Sequence, residues 1–159
     1  MPVQISISQS VTASMQDAFR AAVDIDARDL IRKHGPLPAI VDVAGHDAPW
    51  SAIGQIRVHK LSDNSSVREE LVGFTPNQTF AYQLSNFTGA FASLVSEARA
   101  EWHFTTTGKT STQIDWTYIF KPNGPIAEPV VWFLVKIFWP GYLKSALTRV
   151  QERAESQLS

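Results

Sequence analysis

Arg57 and Glu69 are the two charged residues whose spacing most directly suggests chemistry in this chain. They lie in two predicted strands, Ala52–Leu61 and Val67–Thr75, which a short polar turn connects. If both side chains face the interior they can pair, and a paired charge in an apolar wall can orient the polar end of a ligand. The alternative is a cross-strand ion pair on the surface, which contributes less than about 1 kcal/mol.

Tyr82 is a second polar group that can meet a ligand. It belongs to the predicted strand Thr79–Phe87, in which Phe80 and Leu84 share its face. Its hydroxyl can bond a ligand carbonyl, or it can belong to a core tyrosine that bonds the backbone. Both interpretations stay open.

His46 is the best candidate for a general base, because it lies with Asp47 and Trp50 in a connecting loop. A solvated loop histidine is the simpler interpretation, so no catalytic residue is assigned. None of the four histidines forms an HxxxH or HxH pattern, and no metal site is expected. His103 alternates with Trp102 and is expected to point outward.

Composition excludes several other kinds of chemistry. The chain has no cysteine, which rules out disulfides and thiolate catalysis. It has no GxSxG, GxGxxG or GxxxxGK[ST] motif, so neither acyl transfer nor a nucleotide cofactor has support, and we expect no cofactor. The net charge of −1 and the lack of a basic block argue against nucleic-acid binding.

Aromatic residues dominate the last third of the chain. Trp116, Tyr118 and Phe120 alternate along one predicted strand, and an apolar helix rich in Trp and Phe follows. Helical geometry separates Trp132 from Phe133 by about 100°, so one narrow stripe cannot bury both. Part of this surface must face a cavity, a second copy of the chain or a membrane.

The elements that must position these residues follow from periodicity and turn signals. An alternating strand begins at Val3, and Ser14 and Asp26 are typical caps of two short helices. A β-rich middle and one long C-terminal helix follow, and Pro140 is expected to kink that helix. The other predicted strands are Ala39–Val43, Phe91–Thr106 and Thr110–Lys121, and the second half of the helix is predicted over Leu143–Gln157.

Length and the apolar segments limit the architecture. A chain of 159 residues is most simply one domain, here 1–159. The apolar run Val130–Tyr142 is shorter than the roughly 20 residues that cross a bilayer, so no transmembrane segment is expected. The first residues lack the pattern of a signal peptide, and with the absence of cysteine this favours a cytoplasmic location.

The order of elements resembles the START-like, or SRPBCC, superfamily, which is also described as polyketide cyclase and pollen-allergen-like. The landmarks of the resemblance are Gly54, Arg57, Glu69 and Tyr82 in the block Ser51–Ser85. The segments Val23–Val43 and Ala100–Pro122 also look like the helix pair and the final hairpin of this superfamily.

The resemblance implies an α+β helix-grip fold. In that fold a curved antiparallel sheet of about six to seven strands, two short helices and a long C-terminal helix enclose an apolar cavity. The resemblance favours the interpretation in which the side chains of Arg57 and Glu69 face the cavity. The expected ligand-binding residues are Trp50, Arg57, Glu69, Tyr82, Trp102, Trp116, Tyr118, Phe133 and Ile137.

Three functions remain open at this level. The first is a carrier or sensor that binds a hydrophobic small molecule such as a lipid, a polyketide-like aromatic or an isoprenoid. The second is a cyclase, aromatase or dehydratase that uses Arg57, Tyr82 and either Glu69 or His46. The third is an interaction module whose C-terminal helix contacts a second copy of the chain or a membrane surface.

Overall fold

Seven strands and four helices make up the protein in the computed structural model, which describes residues 1–156. The strands are β1 Val3–Val11, β2 Ile40–Gly45, β3 Ile56–Leu61, β4 Ser66–Thr75, β5 Thr79–Ser85, β6 Val95–Gly108 and β7 Ser111–Pro122. The helices are α1 Met15–Asp24, α2 Ala27–Leu30, α3 Glu128–Ile137 and α4 Trp139–Ser156. Gln157, the last residue of the predicted helix, lies outside the described residues.

All seven strands form one antiparallel sheet in the order β1-β7-β6-β5-β4-β3-β2. Strands β2 to β7 follow one another as a meander, and β1 closes the far side by pairing with β7. The register shifts between Leu71 and Gly73 in β4 and near both ends of β6, and such bulges bend a sheet. The predicted α+β helix-grip fold, with its curved sheet of six to seven strands, is confirmed.

The two short helices begin at the predicted caps. The Ser14 hydroxyl accepts a hydrogen bond from the Asp17 amide at 3.1 Å, and the Asp26 carboxylate accepts one from the Arg28 amide at 2.8 Å. The Arg28 guanidinium also pairs with Asp26 and lowers the pKa of that carboxyl to about 2. Helix α1 extends to Asp24, where the backbone amide of the following residue, Ile25, still donates to the carbonyl oxygen of Ala21.

Two strands begin later than the alternation predicts, because local hydrogen bonds, from a side chain in one case and from the backbone in the other, compete with the ladder. Strand β3 starts at Ile56 rather than Ala52, since the Gln55 side-chain oxygen accepts from the backbone amides of Ser51 and Ala52. Strand β6 starts at Val95, because Ala90–Ser93 form a 3₁₀ turn before it.

The predicted long C-terminal helix is two helices that meet at a bend of 41°. The break falls at Phe138, two residues before Pro140, which has no N–H to donate to the carbonyl of Lys136. Within residues 1–156, no single helix is long and apolar enough to span a membrane; only the bent pair of α3 and α4 reaches the required length and composition.

Helix α4 packs against β1 and α1 and buries one of its faces there. Leu143, Leu147 and Val150 on α4 are fully buried. Phe19 of α1 packs edge-on against the rings of Phe80 and other aromatics at this end of the sheet. These contacts leave no free volume around Phe19 and the three α4 residues, none of which lines the cavity on this face of the sheet.

Candidate ligand-binding cavity

A cavity of about 320 Å³ lies between the concave face of the sheet and the helices. Its wall is mainly apolar and comes from strands β3 to β7, from helix α2 and from the region where α3 meets α4. The small side chain of Ala98 on β6 leaves part of this space free. The exposed residues Asp63 and Thr88 also line it, so the cavity reaches solvent beside the β3–β4 turn. Its volume falls in the range typical of small-molecule sites, about 300–1,000 Å³.

Six of the nine expected ligand-binding residues line this cavity: Trp50, Arg57, Glu69, Tyr82, Trp102 and Tyr118. They come from the β2–β3 loop and from five different strands. Strand alternation places the five strand residues on the same concave face, as expected. That these side chains bind a ligand stays a prediction.

Trp116 is not in the cavity wall, although it points to the same face of the sheet as the cavity, as strand alternation predicts. It faces Trp102 across the β6–β7 ladder, and the two rings stack with their centroids 4.2 Å apart. Trp116 is fully buried in the packed half of the sheet, while Trp102 reaches the cavity. The two residues are directly opposite in the register and point to the same face, so strand alternation alone does not distinguish them.

Phe133 and Ile137 are also outside the cavity wall, which corrects their placement there. They are 53% and 56% exposed, because α3 packs through Val131 and Val135, which lie on its opposite side. Leu134 is the α3 residue that lines the cavity. Trp132 is 54% exposed on the outer side as well. Contact of this face with a second copy of the chain or a membrane stays a prediction.

Arg57 and Glu69 are directly opposite each other on β3 and β4, and both are buried. Within residues 1–156, however, no ion pair of 4.0 Å or less joins them. The Arg57 guanidinium donates hydrogen bonds to the backbone oxygens of His46 and Ala48 and lies 3.7 Å above the Trp50 ring. Burial lowers the pKa of Arg57, and the charge of Glu69 opposes that shift. Both side chains face the interior, but the pair that this orientation allows does not form, because Arg57 holds the β2–β3 loop instead.

His59 is the partner of Glu69 and the main residue that sequence reasoning missed. It is 2% exposed and lines the cavity, and its Nε2 lies 3.1 Å from Oε1 of Glu69. Its other ring nitrogen, Nδ1, has no hydrogen-bond partner among the described residues. The available signal was its position two residues after Arg57, which puts both on the same face of β3.

The hydroxyl of Tyr82 bonds to side chains rather than to the backbone. It accepts a hydrogen bond from Trp102 Nε1 at 3.3 Å and lies 3.4 Å from the hydroxyl of Tyr118. Burial raises the pKa of both phenols, and the nearby charge of Glu69 acts in the same direction. Tyr82 and Tyr118 are therefore neutral hydrogen-bonding groups in the cavity wall.

His46, the candidate general base, lies outside the cavity wall. Its Nε2 is 3.1 Å from the carbonyl oxygen of Pro49, and its ring is nearly parallel to that of Trp50 at 6.0 Å. It is half-buried in the loop that Arg57 holds. Within residues 1–156, no group of three or more His, Asp or Glu side chains could hold a metal ion.

Comparison with solved structures shows how widely this architecture occurs. Norcoclaurine synthase from Thalictrum flavum, as a point mutant, superposes with a TM-score of 0.73 at 15% identity, over 100% of this chain and 98% of that one. The Zhui aromatase/cyclase from Streptomyces sp. R1128 gives a TM-score of 0.68 at 15% identity, over 100% and 97% of the two chains.

A third likeness is to StfQ, a di-domain ARO/CYC from the steffimycin biosynthetic pathway. It has a TM-score of 0.73 at 15% identity over 99% of this chain, which spans only 52% of the StfQ chain. At such identities these likenesses establish the fold alone.

The family is established by the sequence itself. No curated protein matches it at a significant level. A family model described as polyketide cyclase / dehydrase and lipid transport, in contrast, matches residues 2–155. Because that match covers nearly the whole chain and agrees with the fold and its cavity, the protein belongs to the polyketide cyclase / dehydrase and lipid transport family.

Proposed function

We propose that this protein binds one hydrophobic small molecule in its internal cavity and acts as a carrier or sensor for it. The observation that carries the proposal is the cavity of about 320 Å³ with a mainly apolar wall. Burial of apolar ligand surface contributes about 25 cal/mol per Å², which supplies affinity without any catalytic group. Membership in a family described by both cyclisation and lipid transport is consistent with this role.

The size of the cavity limits the ligand. A volume of about 320 Å³ is at the lower end of the range for small-molecule sites. This favours a compact aromatic of the polyketide type, a short isoprenoid or a single acyl chain over a lipid with two long chains. The stacked Phe80 and Trp102 rings in the wall, with centroids 5.3 Å apart, favour a flat aromatic among these.

The second candidate function is an enzyme of the cyclase, aromatase or dehydratase type. It is favoured by the polar groups that gather on one wall, namely His59, Glu69, Tyr82 and Tyr118. A histidine held by a carboxylate can move a proton, and a neutral phenol can donate a hydrogen bond to a carbonyl oxygen. The Zhui aromatase/cyclase shares the fold, which gives the substrate class to test first.

Native mass spectrometry of the purified protein, followed by denaturing extraction of anything bound, tests the first proposal. We expect a co-purifying apolar molecule, and saturable binding of the dye ANS (8-anilinonaphthalene-1-sulfonate) to protein from which that molecule has been removed. Protein unfolded in denaturant is the control for unspecific dye binding. If lipid extracts and ANS show no saturable binding to the folded protein, the carrier proposal fails.

Measurement of substrate turnover distinguishes the carrier function from the enzyme function. A polyketide-like substrate analogue that is cyclised or dehydrated by the protein, and not by its Tyr82→Phe variant, would favour the enzyme. An analogue that binds and is recovered unchanged would favour the carrier.

A further inference from the structure

The outer face of helix α3, together with the turn before it, is apolar and exposed. Five large apolar side chains lie there, each between 46% and 92% exposed: Ile126, Val130, Trp132, Phe133 and Ile137. At about 100° per residue they all fall within one half of the helix, and the fully buried Val131 and Val135 lie on the opposite side. A contiguous exposed apolar face of this kind marks an interaction surface.

The charges at the end of α3 that carries Ile137 are positive. Residues 129–148 contain Lys136 and Lys144 and no Asp or Glu, and both lysines are exposed. Glu128 is the first residue of α3 and therefore lies at the other end of the helix. The apolar face thus meets cations without neighbouring carboxylates at the bend between α3 and α4.

The loop between α2 and β2 adds two more cations at the same end. A Cβ at Gly35 in this loop would lie 3.5 Å from the ring of Phe138, and that ring contacts Phe133 of the outer face with centroids 6.1 Å apart. Arg32 and Lys33 come just before Gly35 and are exposed, and residues 31–39 contain no Asp or Glu. An apolar face bordered by cations is complementary to a membrane with anionic lipids, because apolar side chains enter the acyl boundary while cations meet the headgroups.

A membrane surface fits this face better than a second copy of the chain does. A stable dimer interface takes about 20–30 residues from each partner, far more than one face of a ten-residue helix supplies. Trp132 is also the residue type that is enriched where bilayers meet water. Helix α3 is about 15 Å long, roughly half the hydrocarbon thickness of a bilayer, which suits a helix that lies along a membrane surface.

We propose that the outer face of α3 docks on the surface of a membrane that contains anionic lipids. The inner side of the same segment belongs to the cavity wall through Leu134 and Trp139. Docking therefore places the cavity next to the bilayer, where apolar molecules are concentrated. The inference goes beyond the proposed binding function and does not depend on it.

Co-sedimentation of the full chain with lipid vesicles tests the proposal. The protein should bind mixed vesicles of phosphatidylcholine and phosphatidylglycerol, and it should bind pure phosphatidylcholine vesicles several times more weakly. Added salt should weaken binding to the mixed vesicles, because it screens the cations from the anionic headgroups. Replacement Ile137→Glu should lower the partition coefficient for the mixed vesicles by about tenfold or more, since it puts a carboxylate into the apolar face.

Ile53→Glu is the matched control. It makes the same change in side chain and in net charge at a residue that is 64% exposed, in the loop before β3. Strand β3 is near the opposite edge of the sheet from β1, the strand beside which α3 packs. This variant should bind the mixed vesicles as the wild-type protein does.

Tryptophan fluorescence is a second readout that needs no charged variant. Trp132 is 54% exposed, whereas Trp50, Trp102, Trp116 and Trp139 are at most 8% exposed. Mixed vesicles should shift the emission of the wild-type protein to shorter wavelength, and brominated lipids should quench it. Trp132→Phe should still bind but lose both changes, because Phe keeps the apolar contact without the reporter.

Several outcomes would overturn the proposal: no binding to the mixed vesicles, binding no stronger than to pure phosphatidylcholine, equal losses in Ile137→Glu and Ile53→Glu, or binding that leaves the Trp132 emission unchanged. A dimer in native mass spectrometry that Ile137→Glu dissociates, without vesicle binding, would assign this face to a second copy instead. ANS binding by the same variants is a separate readout. Its retention in Ile137→Glu shows that the variant is folded, and its absence from the wild-type protein would disprove the binding function while docking stands.

Discussion

The guanidinium of Arg57 lies 3.7 Å above the indole ring of Trp50, and it also holds two backbone oxygens of the loop that carries this tryptophan. The loop between β2 and β3 contributes Trp50 to the cavity wall. Arg57, which the sequence suggested as a ligand contact, therefore also shapes the cavity, because it holds the loop that carries Trp50.

Replacement Arg57→Met should loosen this loop. It removes two hydrogen bonds from a charged donor and one cation–π contact, so we expect a loss of about 2–4 kcal/mol in the free energy of unfolding. Denaturant unfolding measures the loss, and hydrogen exchange of the amides in residues 46–55 should become faster. Arg68→Met is the control, because Arg68 is half-buried and its ion pair is with Glu70 two residues away. Equal stability of the two variants would contradict the assignment.

Replacement Gly45→Ala should weaken the edge of the sheet more than Gly54→Ala. Both glycines have positive φ, 87° and 97°, so both alanines are strained. Only at Gly45 would the new Cβ also collide, at 2.7 Å from the backbone oxygen of Ile56, whereas Gly54 has nothing within 4 Å. We expect Gly45→Ala to lower the free energy of unfolding by about 1–3 kcal/mol more than Gly54→Ala does, as measured by thermal or denaturant unfolding. Equal losses of stability in the two variants would show that strand β2 moves away from the Ile56 oxygen without an energetic penalty.

Ala98→Leu should fill the cavity from β6. Ala98 is 2% exposed and lines the cavity, so the added carbons occupy space that a ligand would use. We expect ANS binding to fall severalfold while the free energy of unfolding changes by less than about 1.5 kcal/mol. Ala44→Leu, on the exposed part of β2, should leave dye binding unchanged. Undiminished dye binding by the Ala98 variant would mean that ANS binds elsewhere.

The three tyrosines should make stability fall steeply at alkaline pH. Burial raises the pKa of Tyr82, Tyr118 and Tyr142 above the ordinary value of 10.0. A phenol whose pKa is higher in the folded state than in the unfolded chain stabilises the fold fully below about pH 10 and loses that contribution as the pH rises through the folded value.

Absorbance at 295 nm against pH, followed together with far-UV circular dichroism, checks this expectation. Tyrosinate should form only as the protein unfolds, and Tyr142→Phe should remove one third of the absorbance change. A tyrosine that ionises near pH 10 in the folded protein would contradict the burial assigned to it.

Local periodicity was enough to determine the order of the elements and the faces of the strands, although not every boundary. Ser14 and Asp26 act as helix caps because capping depends on a side chain and amides two or three residues away. Trp102 and Tyr118 face the cavity side because side chains alternate along any strand. The family resemblance followed from the order of these elements, and the match over residues 2–155 confirmed it.

Tertiary structure alone decided which of these side chains meet. Glu69 contacts His59 rather than Arg57, because the choice depends on side-chain directions across two strands and on the loop oxygens that draw Arg57 away. Phe133 faces outward because the packing of Val131 and Val135 sets the rotation of α3, which a helix with apolar residues on every side does not specify. Cavity walls depend on contacts between residues far apart in the chain, so their composition is a property of the packed molecule.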